Sequence, residues 1–219
     1  MKKISVITVD GPSASGKGAL SRGIANYFGF SILDSGILYR LYAYLWIKGF
    51  TSKDIAKEIS RNVNFELNLE KLLIIHNSDD ITNDLRTEFV GKSASEHSSK
   101  KEVRDTLFDI QRSFYNGSEL VADGRDMGTV VFKKAKLKIF LTASPEIRAK
   151  RRYLELQNLG QEVNMLDLIS DIEQRDFKDS TRELSPLLPA EDAHIIDTSN
   201  MSLEEVFIFT KNLIKKEFV

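Results

Sequence analysis

The 219-residue chain contains no cysteine. That excludes disulfides, thiolate metal sites and thiol catalysis, and it suits a reducing compartment such as the cytoplasm. Histidine is nearly as scarce. His76, His97 and His194 lie far apart and show no metal-ligand spacing, so no protein-built metal centre is expected. An excess of charge of one sign is also missing. The 31 Lys plus Arg and 32 Asp plus Glu leave a formal net charge of −1. Without bulk attraction for nucleic acid or an anionic membrane, any anion site must be built locally. No uninterrupted apolar run reaches the ~18 residues of a membrane-spanning helix. The opening MKKISVITVDG has a basic start, but its apolar run is short and ends in Asp10, so it reads as a first strand and not as a signal peptide. Internal repeats and low-complexity linkers are absent too. What remains is the composition of an ordinary globular protein, 42% hydrophobic and 29% charged. The length fits one α/β domain with small insertions, enough to bury roughly 70% of the unfolded chain's surface. Small size and near-neutral charge point to a monomer.

Periodicity divides the chain into alternating strands and helices. Ile4–Val9 is a short β-branched run, as a buried parallel strand should be. A helix is predicted from Lys17 to Phe28, with Leu20, Ile24 and Phe28 on one face, then a strand over Phe30–Leu33. Asp34 and Ser35 offer an N-cap for a helix through about Lys48, whose Leu38, Leu41, Tyr42 and Leu45 have helical spacing. SKDIAKEISRN is another helix. From Asn64 to Thr82 the period changes: Phe65, Leu67 and Leu69 alternate and LLIIH follows, which predicts a hairpin in a small inserted subdomain. Polar-faced helices are predicted over Leu85–His97 and Lys100–Tyr115. ELVAD and KLKIFLTA are buried strands, Pro145–Leu159 and Met165–Asp176 charged helices, HIIDTS a last strand, and Leu203–Phe218 a closing helix. Strands separated by helices argue for a parallel sheet. Trp46 and the phenylalanines are expected in the core, and Lys215 and Lys216 suit a helix C-terminus.

The strongest local signal is Gly11-Pro12-Ser13-Ala14-Ser15-Gly16-Lys17, a Gly-x-x-x-x-Gly-Lys loop between a strand and a helix. The backbone N–H groups of such a loop converge on phosphate oxygens, and the helix adds its positive end. Lys17 supplies a point charge for the β and γ phosphates. The Ser or Thr that usually follows, and whose hydroxyl reaches magnesium, is replaced by Gly18 and then Ala19. That argues against a switch GTPase, as does the lack of an Asn-Lys-x-Asp motif. A kinase whose Mg²⁺ is held mainly by phosphates and water fits better, because this ion usually keeps several waters.

A kinase needs an acceptor site. In LDSGILYR, Ser35, Tyr39 and Arg40 fall where a helix begins and within its first turns. Taken alone they read rather as a capping serine, a packed tyrosine and a solvated arginine. In LVADGRDMGTVVF a buried strand runs into Asp123-Gly124-Arg125-Asp126, with two carboxylates about an arginine where open α/β sheets bind ligands.

DGPSASGKGAL, LDSGILYR, ADGRDMGTVVF, KIFLTAS, RRYLELQ, RDFKDSTR and PLLPAEDAHIIDTS stand in the order found in bacterial cytidylate kinases, and the resemblance spans essentially the whole chain. It implies an α/β fold, a three-layer P-loop NTPase-type parallel sheet flanked by helices. A small β-containing insertion for the nucleoside monophosphate (about 61–84) and a helical lid (about 148–182) interrupt a core of 1–60, 85–147 and 183–219. It implies transfer of phosphate from ATP, with Mg²⁺, to CMP or dCMP. By the same resemblance Ser35, Tyr39 and Arg40 hold the acceptor's phosphate and sugar, and Ser95, Arg104 and Asp126 read the cytosine edge. Arg125 and Arg182 bind phosphate, Asp179 takes the ribose hydroxyls beside Arg175, and Arg151 and Arg152 approach ATP. On their own Ser95, Arg104 and Asp179 would pass for exposed polar helix residues. The family usually has Thr where this chain has Ala19, so a loop hydroxyl is lost. Lys178 and Ser180 stand where arginine is common, which predicts weaker lid closure and a higher apparent KM for ATP. Chemistry favours the assignments: a carboxylate accepts from the cytosine N4 amine, an arginine and a hydroxyl serve N3 and O2, and uracil would turn O4 on Asp126. Two rivals stay open: another small P-loop kinase, of uridylate, adenylate or a small alcohol, and a non-catalytic nucleotide-binding regulator.

Overall fold

Five short apolar runs pair into one parallel sheet in a computed structural model of the chain, which describes residues 3–68, 71–158 and 160–218. The first half runs β1 (Ile4–Asp10), α1 (Lys17–Phe28), β2 (Ser31–Asp34), α2 (Ser35–Ile47), α3 (Ser52–Asn62), β3 (Val63–Leu67), β4 (Leu72–His76) and β5 (Asp79–Asp80). Then come α4 (Thr82–Leu85), α5 (Glu88–His97), α6 (Lys101–Ser113), β6 (Leu120–Gly124) and a single π turn at Met127–Val131. The chain closes with β7 (Ala135–Thr142), α7 (Pro145–Asn158), α8 (Met165–Thr181), β8 (His194–Asp197) and α9 (Leu203–Phe218).

The sheet order is β2-β6-β1-β7-β8, with helices packed against it. Its central strands are mainly apolar because both faces are covered: Val6, Ile7, Val9, Val121 and Ala122 are fully buried. Leu38, Leu41, Tyr42 and Leu45 form the buried stripe of α2, as their spacing predicts. Each such Leu contributes about 1.5–3 kcal/mol of burial. Asp34 caps that helix, its Oδ1 accepting from the Ile37 amide at 3.0 Å. Strand register brings Asp34 beside Asp123 and Asp10 beside Gly124, so the carboxyl edge carries three acids side by side.

Four expectations need correction. The helix predicted over Leu85–His97 is broken: α4 stops at Leu85, and Thr87 starts α5 as an extended N-cap, its Oγ1 accepting from Val90 N at 3.4 Å. The predicted hairpin is a three-stranded sheet, because Asn77 and Ser78, with φ of 50° and 74°, turn the chain back as β5. Two positive φ angles make the tight turn that suits a hairpin, and the short polar β5 carries no apolar alternation to betray it. Leu69 and Leu159, part of the predicted hairpin and of the predicted charged helix, lie outside the described residues. The helix predicted to stop at Asp176 continues to Thr181, and this added turn carries Asp179. Finally, Trp46 is 44% exposed and stacks on the outer side of Tyr42, while Phe89 and Phe177 are each 69% exposed.

Candidate active site

The glycine loop leaves β1 through a passage that admits no side chain. A Cβ on Gly11 would stand 2.2 Å from the Leu141 carbonyl oxygen, and Gly16, with φ of 92°, begins α1 in the left-handed region. Ala14 also has positive φ, 57°, a strain of about 1 kcal/mol retained by the surrounding loop. The loop's carbonyls are turned outward onto cations. Pro12 O accepts from Lys17 Nζ at 3.1 Å, Ser13 O from Arg148 at 3.2 Å and Ser15 O from Arg151 at 3.2 Å. With its carbonyls committed on that side, the loop presents its N–H groups and the uncapped start of α1 to an anion. Gly18 has a steric reason as well: a Cβ there would lie 3.3 Å from Arg22 Nη1 and 3.4 Å from Asp123 Oδ2, so a longer side chain would press on that carboxylate.

Beside the loop lies a cleft of about 530 Å³, counted with the solvent in its mouth. Helix α2 lends it Ser35, Tyr39 and Arg40, α5 lends Ser95, and α6 lends Arg104. The turn after β6 lends Arg125 and Asp126, and α8 with the residue beyond it lends Arg175, Asp179 and Arg182. All ten residues singled out for the acceptor thus converge, from five separate stretches of chain. Strands β3, β4 and β5 contribute none of the lining.

Specific contacts hold the walls. Gln111 donates to Ser35 Oγ at 3.0 Å. Arg40 donates to the carbonyls of Leu85 and Thr87, at 2.8 and 3.1 Å, where the helix breaks; the Thr87 carbonyl also accepts from the Gly91 amide at 3.0 Å. Gly91 makes room for it, since a Cβ at that position would meet Arg40 Nη2 at 2.7 Å. Arg104 donates to Asp126 at 3.0 Å and lies over the Tyr39 ring. Asp179 braces two arginines, its Oδ2 accepting from Arg125 Nε at 3.1 Å and its Oδ1 from Arg182 at 3.4 Å.

Five arginines against two aspartates leave the cleft three positive charges in excess. Arg104 Nε, Arg175 Nε and Arg182 Nη2 are buried and bond to no acceptor among the described residues. Burial, followed by the Arg125 charge, lowers Arg175 to about 10. Burial works against Asp179 being ionised, but Arg125, Arg175 and Arg182 outweigh it and hold its carboxyl below the ordinary range. At the loop, burial and then Arg125 lower Lys17 to about 8, while burial raises Asp123 to about 7 against the pull of Lys17. Such a site is short of negative charge and suits a polyanion.

Several functional contacts escaped the sequence. Arg148, at the start of the segment read as a lid, is 2% exposed and links Ala143 O, the loop carbonyl of Ser13 and both oxygens of Asp176. Arg151 grips Thr198 and Ser15 O beneath the loop, and Arg152 pairs with Glu88 and Glu155. Lys178 and Ser180 are both exposed, and Ser180 turns back to Phe177 O. Asp10 and Asp123 stand within DGPSASGKGAL and ADGRDMGTVVF but were given no separate role there, and Gln111 carried no motif that marks it. Their partners lie in distant segments, and only an acid ending an apolar strand hinted at the first two.

Residues 7–216 match the family model described as cytidylate kinase. The chain is 43% identical over 219 residues to a cytidylate kinase of Acinetobacter baylyi, covering 96% of each. It is 45% identical over 216 residues to one of Photorhabdus laumondii, covering 96% of this chain and 95% of that one. Among solved structures, an uncharacterized protein of Eubacterium ventriosum superposes with a TM-score of 0.55 at 11% identity, covering 98% of this chain and 99% of that one, a likeness of fold alone.

Proposed function

Because the chain belongs to the cytidylate kinase family, we propose that it transfers the γ-phosphoryl group of ATP to the α-phosphate of CMP or dCMP, giving ADP and CDP or dCDP. The observation that carries this reading is the arginine-rich cleft opening beside the glycine loop, with Asp126 and Arg104 at one end of it. An acceptor phosphate oxygen attacks the γ phosphorus in line, and the bond from that phosphorus to the β–γ bridging oxygen breaks. The acceptor is already an anion at neutral pH, so no strong base is required, and catalysis is positioning plus charge neutralisation.

Lys17 and the loop N–H groups hold the donor phosphates. Arg125 and Arg182, with planar forks aligned by Asp179, grip the transferring and acceptor phosphates. Arg40 and Arg175 complete the acceptor's charge balance, and Ser35 and Tyr39 orient its phosphate and sugar. Asp126 accepts from the cytosine N4 amine, and Arg104 and Ser95 serve N3 and O2. Asp179 reaches the ribose hydroxyls with lone pairs its arginines leave over. Helices α7 and α8, about residues 148–182, act as a lid that excludes water, the competing acceptor. The inserted sheet of about 61–84 carries α4 and α5, and with them the Ser95 wall.

Position 18 offers no hydroxyl, and no group of three or more acids or imidazoles among the described residues could cage an ion. These residues fit a Mg²⁺ held by ATP's oxygens and its own waters, an ion that neutralises charge on the β and γ oxygens when bound. No helix among the described residues is long and apolar enough to cross a membrane, and we place the protein in the cytoplasm as a monomer. Single-turnover assays with ATP and CMP, dCMP, UMP or AMP test the reading. Fast transfer to CMP is expected, preference for another acceptor would make it a different small kinase, and transfer to none would make it a regulator.

A further inference from the structure

We propose that Asp10 is a positioning residue that locks the base-reading turn onto the donor loop, and so sets acceptor selectivity without touching the base. The inference rests on the reading of the cleft as a CMP site. Asp10 ends β1 and directly precedes Gly11, the first residue of the glycine loop. Its side chain points the other way along the sheet edge: Oδ1 accepts from the Met127 amide at 2.9 Å and Oδ2 from the Gly128 amide at 2.8 Å. Both oxygens of a carboxylate only 5% exposed are therefore committed to the peptide units just after Arg125 and Asp126.

The sheet cannot do this job. Register between β1 and β6 ends at Asp10 and Gly124, and the chain then leaves the ladder. Met127 and Gly128 open the π turn, where amides lack a partner within the turn. A carboxylate can accept from two such donors at once, and here the two amides pull against the burial that raises Asp10 to about 7. Packing makes the fit close. A Cβ on Gly128 would stand 2.9 Å from Thr8 Oγ1 and 3.3 Å from Asp10 Oδ2, so the turn rests directly on β1. Asp126 is joined to Met127 by one peptide bond. Its direction, and that of Arg125, therefore follow from the same carboxylate that begins the phosphate loop.

Asp10→Asn is nearly isosteric, but its amide turns an N–H against one of the two backbone donors. The expected result is a CMP KM raised roughly 10- to 100-fold and a CMP-over-UMP ratio lowered by a similar factor, with ATP affinity nearly unchanged. Asp10→Glu keeps the charge and both acceptors one methylene further out, and it should lose selectivity as well. A folded variant of either kind that keeps the wild-type CMP KM and ratio overturns the proposal. So does an equal loss towards CMP, UMP and ATP, the mark of a general structural role. A reading on the wild-type protein needs no variant: with [15N]methionine at the four Met positions, the Met127 amide should exchange slowly before CMP is added. Exchange at the rate of an open loop would overturn the clamp. The wild-type CMP assay separates the two levels, since its failure refutes the function, whereas an active wild type beside an equally selective Asp10→Asn refutes only the clamp.

Discussion

Replacing Asp126 by Asn tests the proposed reading of the cytosine edge by that carboxylate. Asp126 is buried, and its only ion pair among the described residues is with Arg104 at 3.0 Å, the two side chains being 5% and 10% exposed. Towards CMP the change replaces a charged acceptor for the N4 amine by an amide, a loss of about 1.5–3 kcal/mol. Towards UMP the wild-type carboxylate faces O4 with a buried acceptor unpaired, costing about 1–3 kcal/mol, and Asn removes that cost by turning its NH₂ to O4. The two effects add in the ratio of kcat/KM values, which should fall by about 10²- to 10⁴-fold. The stranded Arg104 charge weakens both substrates alike and cancels in the ratio. Initial rates of ADP formation with CMP and with UMP at saturating Mg·ATP measure it. A ratio within about threefold of wild type, less than 1 kcal/mol, would refute the assignment of Asp126 to N4.

Two further outcomes follow from the loop. Ala19→Thr restores a hydroxyl near the donor phosphates, and one added hydrogen bond should lower the KM for ATP about 2- to 10-fold with the KM for CMP unchanged; an ATP titration showing no decrease would count against it. Asp123, raised from 3.8 to about 7 by burial, holds a proton in the ligand-free fold where the unfolded chain has lost it. Its contribution to stability is complete below about pH 4 and is lost as pH rises through about 7. The melting temperature of wild type minus that of Asp123→Asn should therefore decline between about pH 5 and 8, and parallel curves would refute the burial argument.

Much of this was legible in the chain because its signals are local. The glycine loop is a run of seven residues, Ile4–Asp10 and Leu120–Gly124 are short, mainly apolar runs, and Asp34 caps the helix that follows it. The break before α5 was not legible. Thr87 is an ordinary cap in an otherwise helical pattern, and the break shows its use only where Arg40 reaches the carbonyls of Leu85 and Thr87. The sequence placed Arg148 in the lid but did not show its burial, because periodicity reports which face a residue occupies, not what lies against that face. Its burial depends on Ser13, 135 positions away, and on Asp176.

By itself the sequence determined the glycine loop and the alternation of strands and helices, which follow from spacing and propensity, whereas the residues proposed for the acceptor came from the resemblance to cytidylate kinases. Only the tertiary structure decided which charges face one another. It brought ten residues from five stretches of chain into one cleft and set Asp179 between two arginines. It also carried the Asp10 carboxylate to two amides more than a hundred residues away. The physical reason is that a hydrogen bond from a side chain to a distant backbone group needs one acceptor and one donor of the commonest kinds, and so leaves no pattern in either segment.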